Sequence, residues 1–222
     1  MTLWDTLARP WQVCLEEAWA ALCAGSLPIG SCVTDADSNV LSRGRNRLFE
    51  NDGPHGQIFG HDLAHAEMNA LLGLRDDPGP VERHARIVYT TTEPCPLCLG
   101  AFYMSGARTL RFAARDPYAG STNLIGATPY LSRKPVTVTG PESADIETLL
   151  VALHVAVSLR RGHNGARHLL DAWRPLLSDG VTLGEALAAS GLLDTLRAEN
   201  MDTADVIHHL CEVRDRPLNP PR

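Results

Sequence analysis

The order of strand-like and helix-like segments between residues 64 and 139 constrains the fold of this sequence more than any other feature. Apolar residues recur at helical spacing over residues 64–74, and a second helix is predicted over 95–104. Strands that alternate with helices are typical of α/β layer folds in which part of the sheet is parallel. With a hairpin nearer the N-terminus, the predicted strands are 29–34, 40–47, 87–92, 109–113 and 136–139. We therefore expect an α/β fold around a five-stranded mixed sheet.

The rest of the chain is predicted to be helical or to form long loops. A helix is expected over residues 8–25, and the loops are 48–63 and 114–135. After Pro141 no strand pattern remains, and the predicted helices are 146–159, 166–177, 183–189 and 203–213. We expect a domain of residues 1–140 and a helical C-terminal extension of residues 141–222. The extension is either a helical cover on the α/β domain or a small bundle of its own.

Composition and hydropathy exclude several protein classes. With 44% hydrophobic and 21% charged residues, the chain is unlike disordered, collagen-like or coiled-coil proteins. Every apolar stretch is shorter than the roughly 18 residues that a bilayer-spanning helix requires. The N-terminus lacks the basic start and apolar core of a signal peptide. We expect a cytoplasmic protein with no membrane partner.

The charge balance disfavours a polynucleotide partner. The net charge is −6, from 20 basic and 26 acidic residues, and both parts of the chain are acidic. Residues 1–140 carry 12 basic and 14 acidic groups, and residues 141–222 carry 8 and 12. Proteins that bind nucleic-acid phosphates usually carry a basic surplus on the binding face. We therefore expect no nucleic-acid partner.

Two short motifs predict a metal site. His65-Ala66-Glu67 and Pro94-Cys95-Pro96-Leu97-Cys98 each open a predicted helix. Either motif alone is weak, but together they offer one imidazole and two thiolates, the donors that Zn²⁺ prefers. Structural zinc sites normally have four protein ligands, so the three-ligand set His65, Cys95 and Cys98 indicates a catalytic ion with a bound water. The other four cysteines stand singly among apolar residues, as small buried side chains do.

Glu67 is the predicted catalytic residue. His65 and Glu67 are two positions apart, and residues so spaced do not face each other on a regular helix. Both serve one site only if the metal lies over the N-terminal end of the helix rather than beside it. Glu67 is then free to act on the water. The alternative is a first-turn carboxylate that is favoured only by the helix dipole.

The region from about residue 26 to 126 resembles the cytidine-deaminase superfamily. It is most similar to the branch with guanine deaminases, other free-base deaminases and tRNA adenosine deaminases. The resemblance implies a three-layer α/β/α fold, one Zn²⁺ per chain, a hydrolytic deamination in which Glu67 moves the protons, and a homodimer. The matching segments are Leu27-Pro28-Ile29-Gly30, Gly44-Arg45-Asn46-Arg47, 62–67, 92–98 and Ala114-Arg115-Asp116 with Gly120.

The substrate contacts are predicted partly from this resemblance and partly from residue chemistry. Asn46 offers an amide donor and acceptor to a heterocycle edge, and its alternative role is to cap its own backbone at a turn. Ala66 and Asp116 are substrate-binding by resemblance. Phe59 and Tyr118 are candidates to stack on the ring, with a purely structural role as the alternative. Phe59 lies in the loop between Asn46 and His65, which is longer here than in the tRNA-acting members.

Three functions are compatible with the sequence. The leading hypothesis is a zinc hydrolase that deaminates a free base, nucleoside or related small amino-heterocycle, with Lys134 as the single lysine. The second is a tRNA adenosine deaminase, which needs a basic groove. The third is a zinc-stabilised interaction module without catalysis, against which an intact Glu67 argues. The arginines available for a groove are Arg43, Arg45, Arg47, Arg108, Arg111 and those near the C-terminus.

Overall fold

The computed structural model describes residues 1–74, 80–162 and 165–216. The strands are β1 (Gly30–Thr34), β2 (Val40–Arg45), β3 (Ile87–Thr92), β4 (Thr109–Ala114) and β5 (Thr137–Thr139). The helices are α1 (Leu3–Thr6), α2 (Arg9–Cys23), α3 (Ala66–Leu72), α4 (Pro80–Ala85), α5 (Pro96–Ser105), α6 (Ala144–Arg160), α7 (Ala166–Trp173), α8 (Ser178–Ser190), α9 (Leu192–Ala198) and α10 (Thr203–Asp215).

The strands form one mixed sheet in the order β2-β1-β3-β4-β5. β1 pairs antiparallel with both β2 and β3, whereas β3, β4 and β5 run parallel. The parallel connection from β3 to β4 passes through α5, as alternation of strand and helix predicted. The expected five-stranded mixed α/β sheet is confirmed.

Helices cover both faces of this sheet. On one face, Val33, Val88 and Leu110 from neighbouring strands form a buried cluster with Ala70 of α3 and Phe102 of α5. Side chains alternate along a strand, so the residues next to these point to the opposite face. A strand covered on both sides is buried throughout, as β1 is.

The opposite face of the sheet packs against α2 and α6. Cys32 and Tyr89 belong to this second cluster, and Trp11 of α2 meets Tyr89 edge-on at a centroid distance of 4.9 Å. The cluster continues from α2 through α6 to the last helices of the chain. The three-layer α/β/α arrangement with extra C-terminal helices is therefore present.

The C-terminal helices are held to each other and to the sheet layers. α6 packs on β4 and along α8. A Cβ on Gly184 of α8 would lie 2.6 Å from the Cβ of Val155, so glycine is required for this close approach. At the far end, Trp19 of α2 donates its indole N–H to the carbonyl oxygen of Met201 at 3.0 Å. Among the described helices, none is both long and apolar enough to span a membrane.

Several predicted helix ends differ from the observed ones. Helix α3 begins at Ala66 rather than at residue 64, because His65 is an extended N-cap residue. α8 begins at Ser178, not at residue 183, since its first turn contains Gly180 and no apolar repeat. α7 ends at Trp173 rather than at residue 177. The short helices α1, α4 and α9 were not predicted, because segments of so few residues carry little periodicity.

Candidate metal centre and active site

Each of the two sequence motifs places its first metal-donor residue at a helix N-terminus. His65 is the N-cap of α3 and Cys95 is the N-cap of α5, and both have extended backbones. Neither side chain caps its own helix, so the imidazole and the thiol are free to face each other across the two helix ends. Pro96 suits the first position of α5, where a missing N–H costs no hydrogen bond. This arrangement is the one that the two-residue spacing of His65 and Glu67 required.

The donor atoms of His65, Cys95 and Cys98 fit one zinc ion. His65 Nδ1 lies 3.5 Å from Cys95 Sγ and 3.4 Å from Cys98 Sγ, and all three donors are within 4.8 Å of one another. Ordinary Zn–N and Zn–S bonds at a tetrahedral angle separate a nitrogen from a sulfur by about 3.6 Å. The cluster can therefore hold one Zn²⁺ without rearrangement of these side chains.

The protonation of the two thiols is coupled. Hydrogen bonding with Cys98 and with His65 lowers the pKa of Cys95 to about 4 against the opposing effect of burial. The same interaction with Cys95, together with burial, raises the pKa of Cys98. The hydrogen bond with Cys95 also raises the pKa of His65. A metal cation bound by the three donors would instead lower the pKa of both thiols, because a metal-bound thiol loses its proton.

Glu67 is buried beside the donor cluster, only 5% exposed. Its Oε1 accepts a hydrogen bond from Thr90 Oγ1 at 3.1 Å, and its Oε2 accepts one from Cys98 Sγ at 3.2 Å. Burial raises the pKa of Glu67, although hydrogen bonding partly opposes this effect. One carboxylate oxygen is thus fixed by strand β3, and the other faces the metal-binding side chains.

A cavity of about 250 Å³ opens over this cluster. This volume is slightly below the range that is usual for small-ligand sites, about 300–1,000 Å³. Its lining combines apolar side chains from the N-terminal part of the chain with the cluster, the loop after β4, and residues of α6 and α7. The lining residues are Leu27, Ile29, Asn46, Leu48, Phe49, His65, Glu67, Thr92, Glu93, Cys95, Cys98, Asp116, Tyr118, Ala119, His154, Ser158, Arg161, Gly165, Ala166 and Leu169.

The structure brings three of the five predicted substrate contacts to this cavity. Asn46 is 2% exposed, and its Oδ1 accepts from the backbone N–H of Leu48 at 3.2 Å, so it also caps a turn as the alternative had it. Asp116 lines the cavity, and its Oδ1 accepts the backbone N–H of Tyr118 at 2.9 Å. Tyr118 lines the cavity and is 55% exposed.

The structure does not bring Ala66 or Phe59 to the cavity lining. Ala66 is fully buried in the first turn of α3. Phe59 is 40% exposed and packs across Gly53, where a Cβ would lie 2.8 Å from the ring carbon Cδ1. The long loop folds its aromatic side chain onto its own backbone, and length alone gave no sign of this.

Sequence reasoning missed residues that act from a distance along the chain. Thr90, which holds Glu67, stands in a run of three threonines that predicts only a strand. Trp173 of α7 donates its indole N–H to Asp116 Oδ1 at 2.9 Å. His154 of α6 lines the cavity and interrupts an otherwise apolar run over residues 149–157. A lone polar residue in such an apolar run is the one signal that could have singled out His154.

Comparison with known proteins gives matches over the first half of the chain. Residues 6–114 match the family model of the cytidine and deoxycytidylate deaminase zinc-binding region. A cytosine deaminase from Candida albicans is 32% identical over 114 residues, which are 51% of this chain and 70% of that protein. A tRNA-specific adenosine deaminase from Haemophilus influenzae is 29% identical over 110 residues, 48% of this chain and 57% of the relative.

A solved structure extends the similarity beyond these matches. A guanine deaminase from Nitrosomonas europaea is 25% identical and superposes with a TM-score of 0.51. The superposition covers 68% of this chain and 85% of that one. The matched proteins thus share a zinc-binding region and a fold with this chain, but they are named for different substrates.

Proposed function

The chain belongs to the cytidine and deoxycytidylate deaminase family of zinc-dependent hydrolases, and on this basis we propose that it deaminates a free nucleobase, nucleoside or related small amino-heterocycle. Zn²⁺ is held by His65, Cys95 and Cys98, and Glu67 is the catalytic residue. The observation that carries the proposal is the buried Glu67 carboxylate, 3.2 Å from Cys98 Sγ, in a cavity of about 250 Å³.

The proposed reaction exchanges an amino group for an oxygen on a ring carbon. Water forms the new C–O bond, the C–N bond to the amino group breaks, and ammonia leaves. Bound zinc supplies Lewis-acid chemistry, which lowers the pKa of a water from 15.7 to about 7. Glu67 takes one proton from the attacking water and delivers it to the ring nitrogen. It then takes the remaining proton from the added hydroxyl group and delivers it to the departing amine, so that the ring carbon becomes a carbonyl and ammonia leaves. Thr90 keeps Oε1 in place, so that Oε2 faces the reacting atoms.

Residues of the cavity would orient the heterocycle. Asn46 presents an amide whose nitrogen has no hydrogen-bond acceptor among the described residues, so that N–H group can donate to a ring acceptor. Asp116 and Tyr118 stand in the loop after β4 and complete the same side of the cavity. Their roles as substrate contacts are part of the proposal.

The arrangement of charge favours a small substrate over tRNA. The arginines that a basic groove would need are engaged with the protein itself. Arg43 pairs with Glu16 and Glu17, Arg45 and Arg47 pair with Glu50, Arg108 donates to the Gly106 carbonyl, and Arg111 lies over the Tyr89 ring. Arg43, Arg45 and Arg47, which are paired with carboxylates, therefore contribute less net positive charge to a phosphate-binding surface than arginines without such a partner.

A tRNA substrate is the second candidate, because a tRNA-specific adenosine deaminase is among the relatives. Salt distinguishes the two functions. A protein that contacts several phosphates loses affinity steeply as salt increases, whereas an enzyme acting on an uncharged base is only slightly affected. We expect kcat/KM on the preferred base to change less than about threefold between 50 and 200 mM salt. A steep decline, seen only with tRNA, would favour the second candidate.

Ammonia release tests the proposal directly. The zinc-loaded protein is incubated with cytosine, guanine, adenine, cytidine and adenosine, and ammonia is measured against time. Glu67→Gln should lower turnover by a factor of about 10² to 10⁴, the usual contribution of a positioned proton carrier. Zinc content of this variant should stay near one per chain, because Glu67 is not a ligand.

Glu82→Gln is the matched control, since Glu82 is an exposed first-turn glutamate of the separate helix α4. It should retain wild-type turnover. Wild-type rates in Glu67→Gln would contradict the assignment of Glu67. If wild-type protein released no ammonia from any base, nucleoside or tRNA but still bound zinc, the non-catalytic interaction module would be the better interpretation.

The cellular location and the oligomeric state are further parts of the proposal. All six cysteines are free thiols in the structure, which supports a reducing compartment such as the cytoplasm. A homodimer is implied by family resemblance. Sedimentation equilibrium at micromolar concentration tests this state, and a mass of about 24 kDa, that of a single chain, would contradict the homodimer.

A further inference from the structure

One side of the cavity is built by the C-terminal helices of the same chain. His154 and Ser158 belong to α6, Arg161 follows it, and Ala166 and Leu169 belong to α7. We call these five residues, with Gly165, the tail wall. All of them lie outside residues 6–114, the part that matches the family model. The zinc-binding motifs of the cavity therefore lie within the matched residues, and the tail wall lies outside them.

The tail wall contains a buried imidazole without a hydrogen-bond partner. His154 is only 8% exposed, and its Nδ1 is a buried atom with no donor or acceptor in reach among the described residues. Its ring meets the Trp173 ring edge-on, with 5.0 Å between centroids and 77° between planes. A buried polar group that lacks a partner is unfavourable and needs an explanation. Because His154 lines the cavity, a ligand bound there is one such explanation.

The surroundings of His154 keep the ring neutral. Burial lowers its pKa, and the carboxylate of Asp116 opposes this effect. The indole N–H of Trp173 and the backbone N–H groups of Tyr118 and Ala119 all donate to Asp116 Oδ1. A neutral imidazole carries one hydrogen-bond donor and one acceptor. His154 can therefore serve a ring nitrogen, a ring N–H group or a carbonyl oxygen of an uncharged heterocycle.

We propose that His154 is a specificity-determining residue, whose imidazole hydrogen-bonds an edge of the heterocyclic base within the cavity. This inference rests on the proposed function and names the group that distinguishes one base from another. In this proposal the tail wall recognises the base. The reaction takes place at the cluster of His65, Glu67, Cys95 and Cys98. Trp173 is a positioning residue, because it contacts both the His154 ring and Asp116.

The test compares two substitutions at position 154. His154→Phe keeps an aromatic ring against Trp173 and removes both nitrogens, whereas His154→Gln keeps one donor group and one acceptor. His168→Phe is the matched control, because His168 is an exposed residue of α7 outside the cavity lining. Steady-state ammonia release from cytosine, guanine and adenine gives kcat/KM for each base, with zinc content and thermal midpoint measured in parallel.

We expect His154→Phe to lower kcat/KM for the preferred base by about tenfold or more, since a site built to bond a polar group loses that much when the bond is removed. The ratio of kcat/KM between bases should change with it. His154→Gln should recover part of the loss, and His168→Phe should match wild type. Unchanged ratios of kcat/KM between bases in both position-154 variants would overturn the proposal. If one variant were too unstable to assay, unchanged ratios in the other would overturn it.

Binding separates this inference from the proposed function. Calorimetry with guanine and cytosine compares zinc-loaded Glu67→Gln with Glu67→Gln that also carries His154→Phe. Weaker binding in the double variant supports the role of His154 even if wild-type protein releases no ammonia, a result that would refute only the proposed function. Equal affinity overturns the role of His154 whatever the activity. If neither protein binds guanine or cytosine, the same pair is tested with the other members of the ammonia-release panel, and absence of binding throughout contradicts both proposals.

Discussion

At the scale of single residues, the hydroxyl group of Thr90 holds the carboxylate that the proposed reaction needs. Thr90 is fully buried in β3, and its Oγ1 donates to Glu67 Oε1 at 3.1 Å. Without this bond, a buried carboxylate oxygen has lost its partner, and the side chain is free to turn away from Cys98. Thr90 therefore acts through Glu67 as a positioning residue.

Thr90→Val should lower kcat by about tenfold or more, because a hydrogen bond to a charged group contributes about 1.5–3 kcal/mol. KM should change little, since Thr90 does not line the cavity. Thr90→Ser restores the hydroxyl group and should recover most of kcat. Steady-state kinetics check this prediction, with the thermal midpoint as the readout of folding. Equal kcat values for the valine and serine variants would show that the hydroxyl group is not needed.

The same scale shows which site residues a sequence can reveal. His65, Cys95 and Cys98 were predicted because their spacing within two short motifs fixes them at helix ends. Thr90 and His154 were not, since their roles depend on contacts with residues at least 19 positions away. Phe59 was predicted as a stacking candidate from its residue type, but the path of its loop directs it onto Gly53.

At the scale of elements, the packing of α8 on α6 depends on glycine. A Cβ at position 184 would lie 2.6 Å from Val155 Cβ and 2.7 Å from the carbonyl oxygen of Ala152. Gly100, in the middle of α5, has open space where its Cβ would be. The two glycines are thus a matched pair, one required for contact and one not.

Gly184→Ala should lower the free energy of unfolding by about 1–3 kcal/mol, as overpacking does. Gly100→Ala should raise it by up to about 1 kcal/mol, because alanine is the better helix former. Urea denaturation of both variants measures these changes. Stabilisation by alanine at both positions would mean that α6 and α8 have room to separate without cost.

An ion pair joins the end of β4 to the start of α6. Arg115 donates from its backbone N–H and from Nε to Glu147 Oε1, at 2.9 and 2.8 Å, and from Nη2 to Oε2 at 2.7 Å. Burial alone would raise the pKa of Glu147, but these bonds outweigh it and hold the pKa below the usual 4.5. A carboxylate whose folded-state pKa is depressed stabilises the fold above its unfolded-state pKa, and this contribution is lost as pH falls through the folded value.

The stability difference between wild type and Glu147→Gln should therefore be largest above about pH 4.5 and shrink as the pH is lowered further. Thermal midpoints of both proteins between pH 3 and 8 test this expectation. Glu199→Gln, at an exposed glutamate, is the control and should give a small difference at every pH. A difference for position 147 that grew towards acid pH would contradict a depressed pKa of Glu147 in the folded state.

The ends of the strands and helices show where sequence periodicity no longer predicts an element. The strands were predicted within two residues at their ends, because turn residues such as those at 35–39 and Pro94 mark where strands stop. α8 was predicted five residues too late, since Gly180 and Gly184 add no apolar side chain to the repeat, although both lie too close to α6 to carry a Cβ. A helix packed through glycine therefore looks like a loop in the sequence.

At the scale of the whole molecule, a bound zinc ion would connect two helices that are separate in the sequence. Its proposed ligands come from the N-termini of α3 and α5, on one side of the sheet. An ion that binds only the folded state stabilises it by mass action, by about 2.7 kcal/mol at a free concentration of 100 times Kd. Removal should thus weaken both activity and fold.

Treatment with a chelator should lower the thermal midpoint by several degrees and abolish ammonia release, and added Zn²⁺ should restore both. Mg²⁺, which prefers oxygen ligands, should restore neither. Differential scanning calorimetry and zinc analysis check this prediction, with Cys98→Ala as a variant that should not respond to added zinc. A metal-free protein with an unchanged midpoint and full activity would exclude zinc from both roles.

The layered architecture could be predicted from sequence, but the position of the C-terminal helices could not. Alternation of strands and helices indicates a sheet with helices around it, whereas several amphipathic helices in succession fit a separate bundle equally well. The position of these helices depends on contacts between distant residues, such as the hydrogen bond between Trp19 and Met201, which are 182 positions apart. Such pairs leave no local pattern in a single sequence.

Because α6 and α7 follow the zinc-binding motifs in the chain, the three metal donors are synthesised before the helices that complete the cavity. Positions 65, 95 and 98 emerge from the ribosome well ahead of positions 154–169, and folding during synthesis proceeds from the N-terminus. An ancestral enzyme could thus exchange one late-made helix for another and admit a new molecule, while the hydrolytic groups stayed as they were.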